Sequence, residues 1–126
     1  MPEFIALPDA PKEAIAAATA RFGRIDGLVN AAGLTTRGGY GDATVEMWNR
    51  MFSVNTRAPF FLMDGAIADM KARNAPGSIV NILSMSSHGG QPFICAYSAS
   101  KAALAGLTKN VAYSLMRDRI RVNGLN

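Results

Sequence analysis

The chain has 126 residues, 49% hydrophobic and 17% charged, with a net charge of +4. That length suits one small domain, and the composition excludes a disordered or collagen-like chain. No apolar run reaches the roughly 18–20 residues of a membrane span, no basic start with an apolar core marks a secretory signal, and a lone cysteine permits no internal disulfide, so a cytoplasmic protein is expected, with no membrane partner.

Taken in chain order, Phe4 to Leu7 reads as the end of a strand. Asp9 is placed to cap a helix over Pro11–Arg21, with Pro11 in its first turn and Gly23 ending it. Ile25 to Asn30 reads as a short buried strand, and Ala31-Ala32-Gly33 turns away into a Gly- and Thr-rich loop, Leu34 to Gly41. A helical pattern then runs from about Thr44 to Arg73, with Met47, Met51, Val54, Phe61 and Leu62 on apolar positions. Pro59 interrupts it, which predicts a kink near Asn55 to Pro59. Met47, Trp48, Met51, Phe52 and Met63 are expected to pack along this helix.

Asn74-Ala75-Pro76-Gly77 is a turn, followed by a buried strand from Ser78 to Leu83 and a loop from Ser84 to Ala96. A helix from Tyr97 to about Arg117 and a strand from Ile120 to Leu125 complete the chain. Arg117, Arg119 and Arg121 hold much of the positive charge, but no aromatics interleave with them, so nucleic-acid binding is not expected. Buried strands alternating with helices predict an α/β fold, a parallel sheet with flanking helices and right-handed crossovers. No G-x-G-x-x-G turn stands in the chain, so the sheet is expected to be incomplete, one partial domain over residues 1–126.

The chemistry concentrates in Tyr97-Ser98-Ala99-Ser100-Lys101. Residues four apart share a helix face, and an ammonium beside a phenol favours the phenolate. That makes a general acid or base for an alcohol or carbonyl. Ser84 lies thirteen residues upstream, directly after a strand, where open parallel sheets gather their ligands. Cys95, between Ile94 and Ala96, reads as a packed thiol, and His88 has no second histidine or cysteine for a metal site.

Four blocks together resemble the short-chain dehydrogenase/reductases, which implies a parallel Rossmann-like sheet with flanking helices. They are Leu28-Val29-Asn30-Ala31-Ala32-Gly33, similar to the family's Asn-Asn-Ala-Gly block; Val54-Asn55, similar to its asparagine; Ile79 to Ser84, similar to its fifth strand and serine; and the Y-x-x-x-K run itself. The resemblance implies a catalytic set of Asn55, Ser84, Tyr97 and Lys101. Tyr97 would exchange a proton with the substrate oxygen, Lys101 would assist it and hold the nicotinamide ribose, Ser84 would bond the same substrate oxygen, and Asn55 would hold a relay water. It further implies NAD or NADP as cofactor, lined by Asn30, Ala31 and Gly33 with Tyr97 and Lys101, and a small alcohol or ketone as substrate. His88, Gln91 and Phe93 are candidate substrate contacts, and a homo-oligomer is expected in the full-length protein. The first two strands, the glycine motif and everything after the sixth strand of the family are missing, so the isolated chain is expected to have little activity. The alternative is a non-catalytic interaction module or inactive fragment on the same fold; an epimerase or dehydratase would use the same residues.

Overall fold

A computed structural model describes residues 2–126. Three short strands form one parallel sheet in the order β1–β2–β3, with β1 at Gly27–Asn30, β2 at Gly77–Ile82 and β3 at Ile120–Leu125. Parallel neighbours need long crossovers, and helices supply them. A short α1 (Pro2–Ile5) and α2 (Ala10–Phe22) precede β1. Between β1 and β2 run α3 (Val45–Phe52), a π-helical turn (Ser53–Arg57) and α4 (Ala58–Ala72); α5 (Cys95–Ser114) joins β2 to β3. The parallel α/β sheet is as the alternation predicts, and the partial Rossmann-like architecture is as the resemblance implies.

The register fixes which face is covered. Leu28, Ile79 and Val122 lie in one row across the sheet. They pack in a single core with Met63, Ala66 and Met70 of α4, Ile15 of α2, and Leu115 just after α5. Fully burying side chains of this size stabilises by about 1.5–3 kcal/mol each, so this core outweighs the exposed ion pairs. Val29, one residue out of phase, is 63% exposed on the opposite face.

Two residues further on, the covered row reads Asn30, Asn81, Gly124. Buried amides need partners, and here they find each other. Asn30 Nδ2 donates to Asn81 Oδ1 at 2.8 Å, and Asn81 Nδ2 donates to Thr108 Oγ1 of α5 at 2.9 Å and to Met63 Sδ at 3.3 Å. Glycine occupies the third place because a Cβ there would overlap Leu83. A second clamp holds the approach to β1: Ile25 N–H donates to Asp69 Oδ2 at 3.0 Å while Arg73 donates to the Ile25 carbonyl and pairs with Asp69 at 2.9 Å. The backbone bond from Ile25 and then Arg73 hold the Asp69 carboxyl below its ordinary range.

The kink at Pro59 takes a definite form. Ala58 N–H reaches back five residues to the Ser53 carbonyl, so the helix opens into a π turn, and Pro59 sits in the first turn of α4, where no N–H is required. Gly23 closes α2 with φ +79° and an N–H bond to Thr19. Three expectations are corrected. Phe4–Leu7 is not a strand end; Pro2–Ile5 is helical, and Leu7 N–H turns back to the Phe4 carbonyl. Asp9 makes no side-chain cap, because its own backbone is already helical (φ −91°, ψ −12°). Trp48 is 44% exposed and stacks on Phe52 at 4.6 Å, whereas Met51 and Met63 are fully buried. Helix α5 also begins earlier than expected, at Cys95, and ends at Ser114.

Candidate active site

The carboxyl ends of β1 and β2 carry the predicted residues. Helix α5 starts beside them, so Tyr97 and Lys101 stand in its first two turns. Lys101 is only 4% exposed, and its Nζ donates to the Ile82 carbonyl at the end of β2 at 2.7 Å. The same Nζ lies 6.0 Å from the centre of the Tyr97 ring. The pair therefore shares a face, as its spacing predicts. Burial pushes the Lys101 pKa down from its ordinary value, because a charge with little water around it is disfavoured.

Asn55 lies in the π turn and is fully buried. Its amide forms a two-way bridge with the backbone of Leu34: Leu34 N–H donates to Oδ1 at 2.8 Å, and Nδ2 donates to the Leu34 carbonyl at 2.8 Å. A third bond runs from Nδ2 to Ser100 Oγ at 3.0 Å. Gly33 closes the group. A Cβ built there would stand 3.9 Å from both Asn55 Oδ1 and Lys101 Nζ, so the loop after β1, the π turn and α5 meet at one point.

Ser84 stands two residues past the end of β2, as the cap of the 3-10 turn Met85–Ser87, which packs against α5. Its Oγ accepts from Ser86 N–H at 3.2 Å and lies 2.8 Å from Ser86 Oγ. The Asn30 side chain is spent inside the covered row, which leaves its main chain for any ligand; Ala31 and Gly33 are exposed. His88, Gln91 and Phe93 are exposed on the following loop. That loop is tied to the one after β1 by Gly38 N–H donating to the Phe93 carbonyl at 2.7 Å. Two participants escaped the sequence reading, Ser100 and Leu34. Ser100 stands inside the signature run, and its polar side chain beside Lys101 was the available signal. Leu34 acts through its backbone and left none.

A model of the family described as short chain dehydrogenase matches residues 5–126. The chain belongs to the short-chain dehydrogenase family. Among family members, it is 44% identical over 118 residues to the short chain dehydrogenase prhI of Penicillium brasilianum, covering 92% of this chain and 46% of that protein. It is 40% identical over 114 residues to carbonyl reductase [NADPH] 2 of Sus scrofa, covering 90% of this chain and 47% of that one. The chain thus spans about half the length of the curated relatives it matches. Among solved structures, acetoin dehydrogenase from Enterobacter cloacae superposes with a TM-score of 0.90 at 38% identity, over 96% of this chain and 48% of that one. A 4-hydroxyisoleucine dehydrogenase complexed with NADH gives a TM-score of 0.90 at 32% identity, over 95% and 53%. No helix among the described residues is long and apolar enough to cross a membrane.

Proposed function

We propose that the protein is an NAD(P)-dependent oxidoreductase that moves hydride between a nicotinamide and an alcohol or carbonyl compound, with Tyr97 as general acid/base. The observation that carries this reading is the buried Lys101 ammonium, set beside the Tyr97 ring at the strand ends and next to Gly33. The residues present suit a dinucleotide. Exposed main chain at Ala31 and Gly33 offers close approach, Gly33 leaves room beside Lys101, and Nζ spends one of its three donors on Ile82. Asn30, Ala31, Gly33, Tyr97 and Lys101 would hold it. A nicotinamide, when bound, supplies or accepts the hydride.

The remaining steps belong to the chain. The Tyr97 hydroxyl gives a proton to the substrate oxygen in reduction and takes it back in oxidation. The Ser84 hydroxyl turns from Ser86 to donate to the same oxygen and stabilise its developing charge. Lys101 sets its Nζ beside the Tyr97 ring and would donate to the ribose. Pro59 returns no N–H to the π turn around Asn55, and a water held there links Lys101 to solvent. His88, Gln91 and Phe93 face the substrate. A cytoplasmic location accompanies this reading.

Support for a homo-oligomer comes from a groove of about 520 Å³ lined by Phe52, Thr56, Phe60, Phe61 and Leu107, where Phe60 and Phe61 are 39% and 48% exposed. Sedimentation of Phe61→Asp against the parent checks it, and an unchanged mass would remove the groove from the interface. The function is tested by following NADH and NADPH oxidation with a panel of ketones. The assay uses the 126-residue chain and a version completed at both ends to the length of its relatives. Turnover is expected from the completed version and little from the chain, whose sheet leaves Val29 uncovered. Robust turnover by the short chain, or none by the completed one, would contradict the proposal.

A further inference from the structure

We infer that Ser100 is a positioning residue for the proposed reaction, locking the Asn55 amide to the helix turn that carries Tyr97 and Lys101. The inference rests on the oxidoreductase reading above. Ser100 is completely buried and stands immediately before Lys101. A hydroxyl has one proton and two lone pairs, and here both kinds are used. Its O–H donates to the Tyr97 carbonyl at 2.7 Å, and its oxygen accepts from Asn55 Nδ2 at 3.0 Å. The Ser100 carbonyl accepts in turn from Thr56 Oγ1 at 2.9 Å. Two bonds thus run from Asn55 and Thr56 in the π turn to Ser100 on α5, and a third ties Ser100 to Tyr97 within the helix.

A serine inside a helix commonly bonds the carbonyl three or four residues back, and that alone is a packing habit. The second bond exceeds the habit. Asn55 Nδ2 carries two protons; Leu34 takes one and Ser100 the other. Without the Ser100 oxygen, a donor is stranded in a fully buried residue, and the amide can satisfy it only by rotating away from Leu34. Leu34 adjoins Gly33, which lies against Lys101 Nζ. Loss of the hydroxyl therefore disturbs the loop, the π turn and the Tyr97 helix together. Ser100 touches neither substrate nor cofactor in this account; it acts through Asn55 and the Tyr97 backbone.

The control is Thr108→Ala. Thr108 is also buried on α5, also accepts from an asparagine amide (Asn81) and also donates back along its helix, to Leu104 at 2.8 Å, but it sits two turns from Lys101 in the sheet row. In the 126-residue chain, the Asn55 side-chain amide resonances should shift and exchange faster in Ser100→Ala and stay in place in Thr108→Ala. In the completed enzyme, Ser100→Ala should lower kcat roughly tenfold with KM nearly unchanged, Ser100→Cys should fall between it and the parent, and Thr108→Ala should lower the melting temperature while keeping kcat. Unmoved Asn55 resonances in Ser100→Ala overturn the inference. So does an equal kcat for the Ala variants at positions 100 and 108. Absence of any turnover by the completed parent sinks the oxidoreductase reading instead, and the resonance experiment still reports on the Ser100–Asn55 bond.

Discussion

Asn81→Ala is the most informative perturbation of the fold beneath the site. Asn81 is fully buried and makes three contacts: it accepts from Asn30 Nδ2, and donates to Thr108 Oγ1 and to Met63 Sδ. Truncation strands the Asn30 amide in a residue 5% exposed. A stranded buried donor costs about 1–3 kcal/mol, and the lost Thr108 bond adds about 0.5–1.5 kcal/mol. With the cavity, the total is about 3–5 kcal/mol, a large share of the roughly 5–15 kcal/mol that holds a domain together. Asn30→Ala should cost less. It leaves Asn81 Oδ1 without its donor, but Asn30 makes only that one bond, and its own partnerless Oδ1 is removed with it. Urea unfolding followed by circular dichroism should therefore show a midpoint drop for Asn81→Ala of about 1–5 M, given slopes near 1–3 kcal/mol per M. The double variant should fall short of the summed single losses by about 1–3 kcal/mol, because Asn30 is stranded only while it is present. Equal costs for the two single variants, or additivity within about 0.5 kcal/mol, would refute the row as described.

Two further predictions concern pH. The Asp69 carboxyl is held low by Ile25 N–H and Arg73, so its contribution is present above its ordinary value of 3.8 and is lost as pH falls through the lowered folded value. The stability advantage of the parent over Asp69→Asn should shrink in acid; an advantage that persists unchanged below that range would contradict the clamp. Lys101 shows the same direction of linkage in an alkaline window, for the opposite reason: burial disfavours its charge. Its folded pKa is depressed below 10.5, so between the folded value and 10.5 the unfolded chain binds more protons and stability rises with pH. Measured against Lys101→Met, the parent should gain relative stability as pH climbs towards 10.5, and a flat difference would mean that burial does not disfavour this charge.

Much of the architecture was legible because its signals are local. Alternating apolar runs mark all three strands, Gly23 marks the end of α2, and Pro59 marks the break in the long helix. The form of that break was not legible: whether a helix opens into a π turn depends on what packs against it, here Ser100 and Leu34 holding Asn55. Phe4–Leu7 failed because four apolar-rich residues between prolines suit a turn as well as a strand, and tertiary contacts decide. Arg57, for example, donates to the Ala6 carbonyl. Asp9 failed because a capping residue must leave helical angles and this one does not. The shared face of Tyr97 and Lys101 follows from helix spacing alone, whereas the Asn30–Asn81–Thr108 chain needs the strand register, which no local pattern supplies.

In the proposed reaction the Tyr97 hydroxyl handles the proton. The direct measurement is steady-state turnover of Tyr97→Phe in the completed enzyme, alongside nucleotide binding by fluorescence titration. The phenylalanine ring keeps the packing beside Lys101 and removes only the hydroxyl, so kcat should fall by about 10²–10⁴, far more than nucleotide affinity, which Asn30, Ala31, Gly33 and Lys101 still support. A variant that retains most of its kcat would show that another group moves the proton.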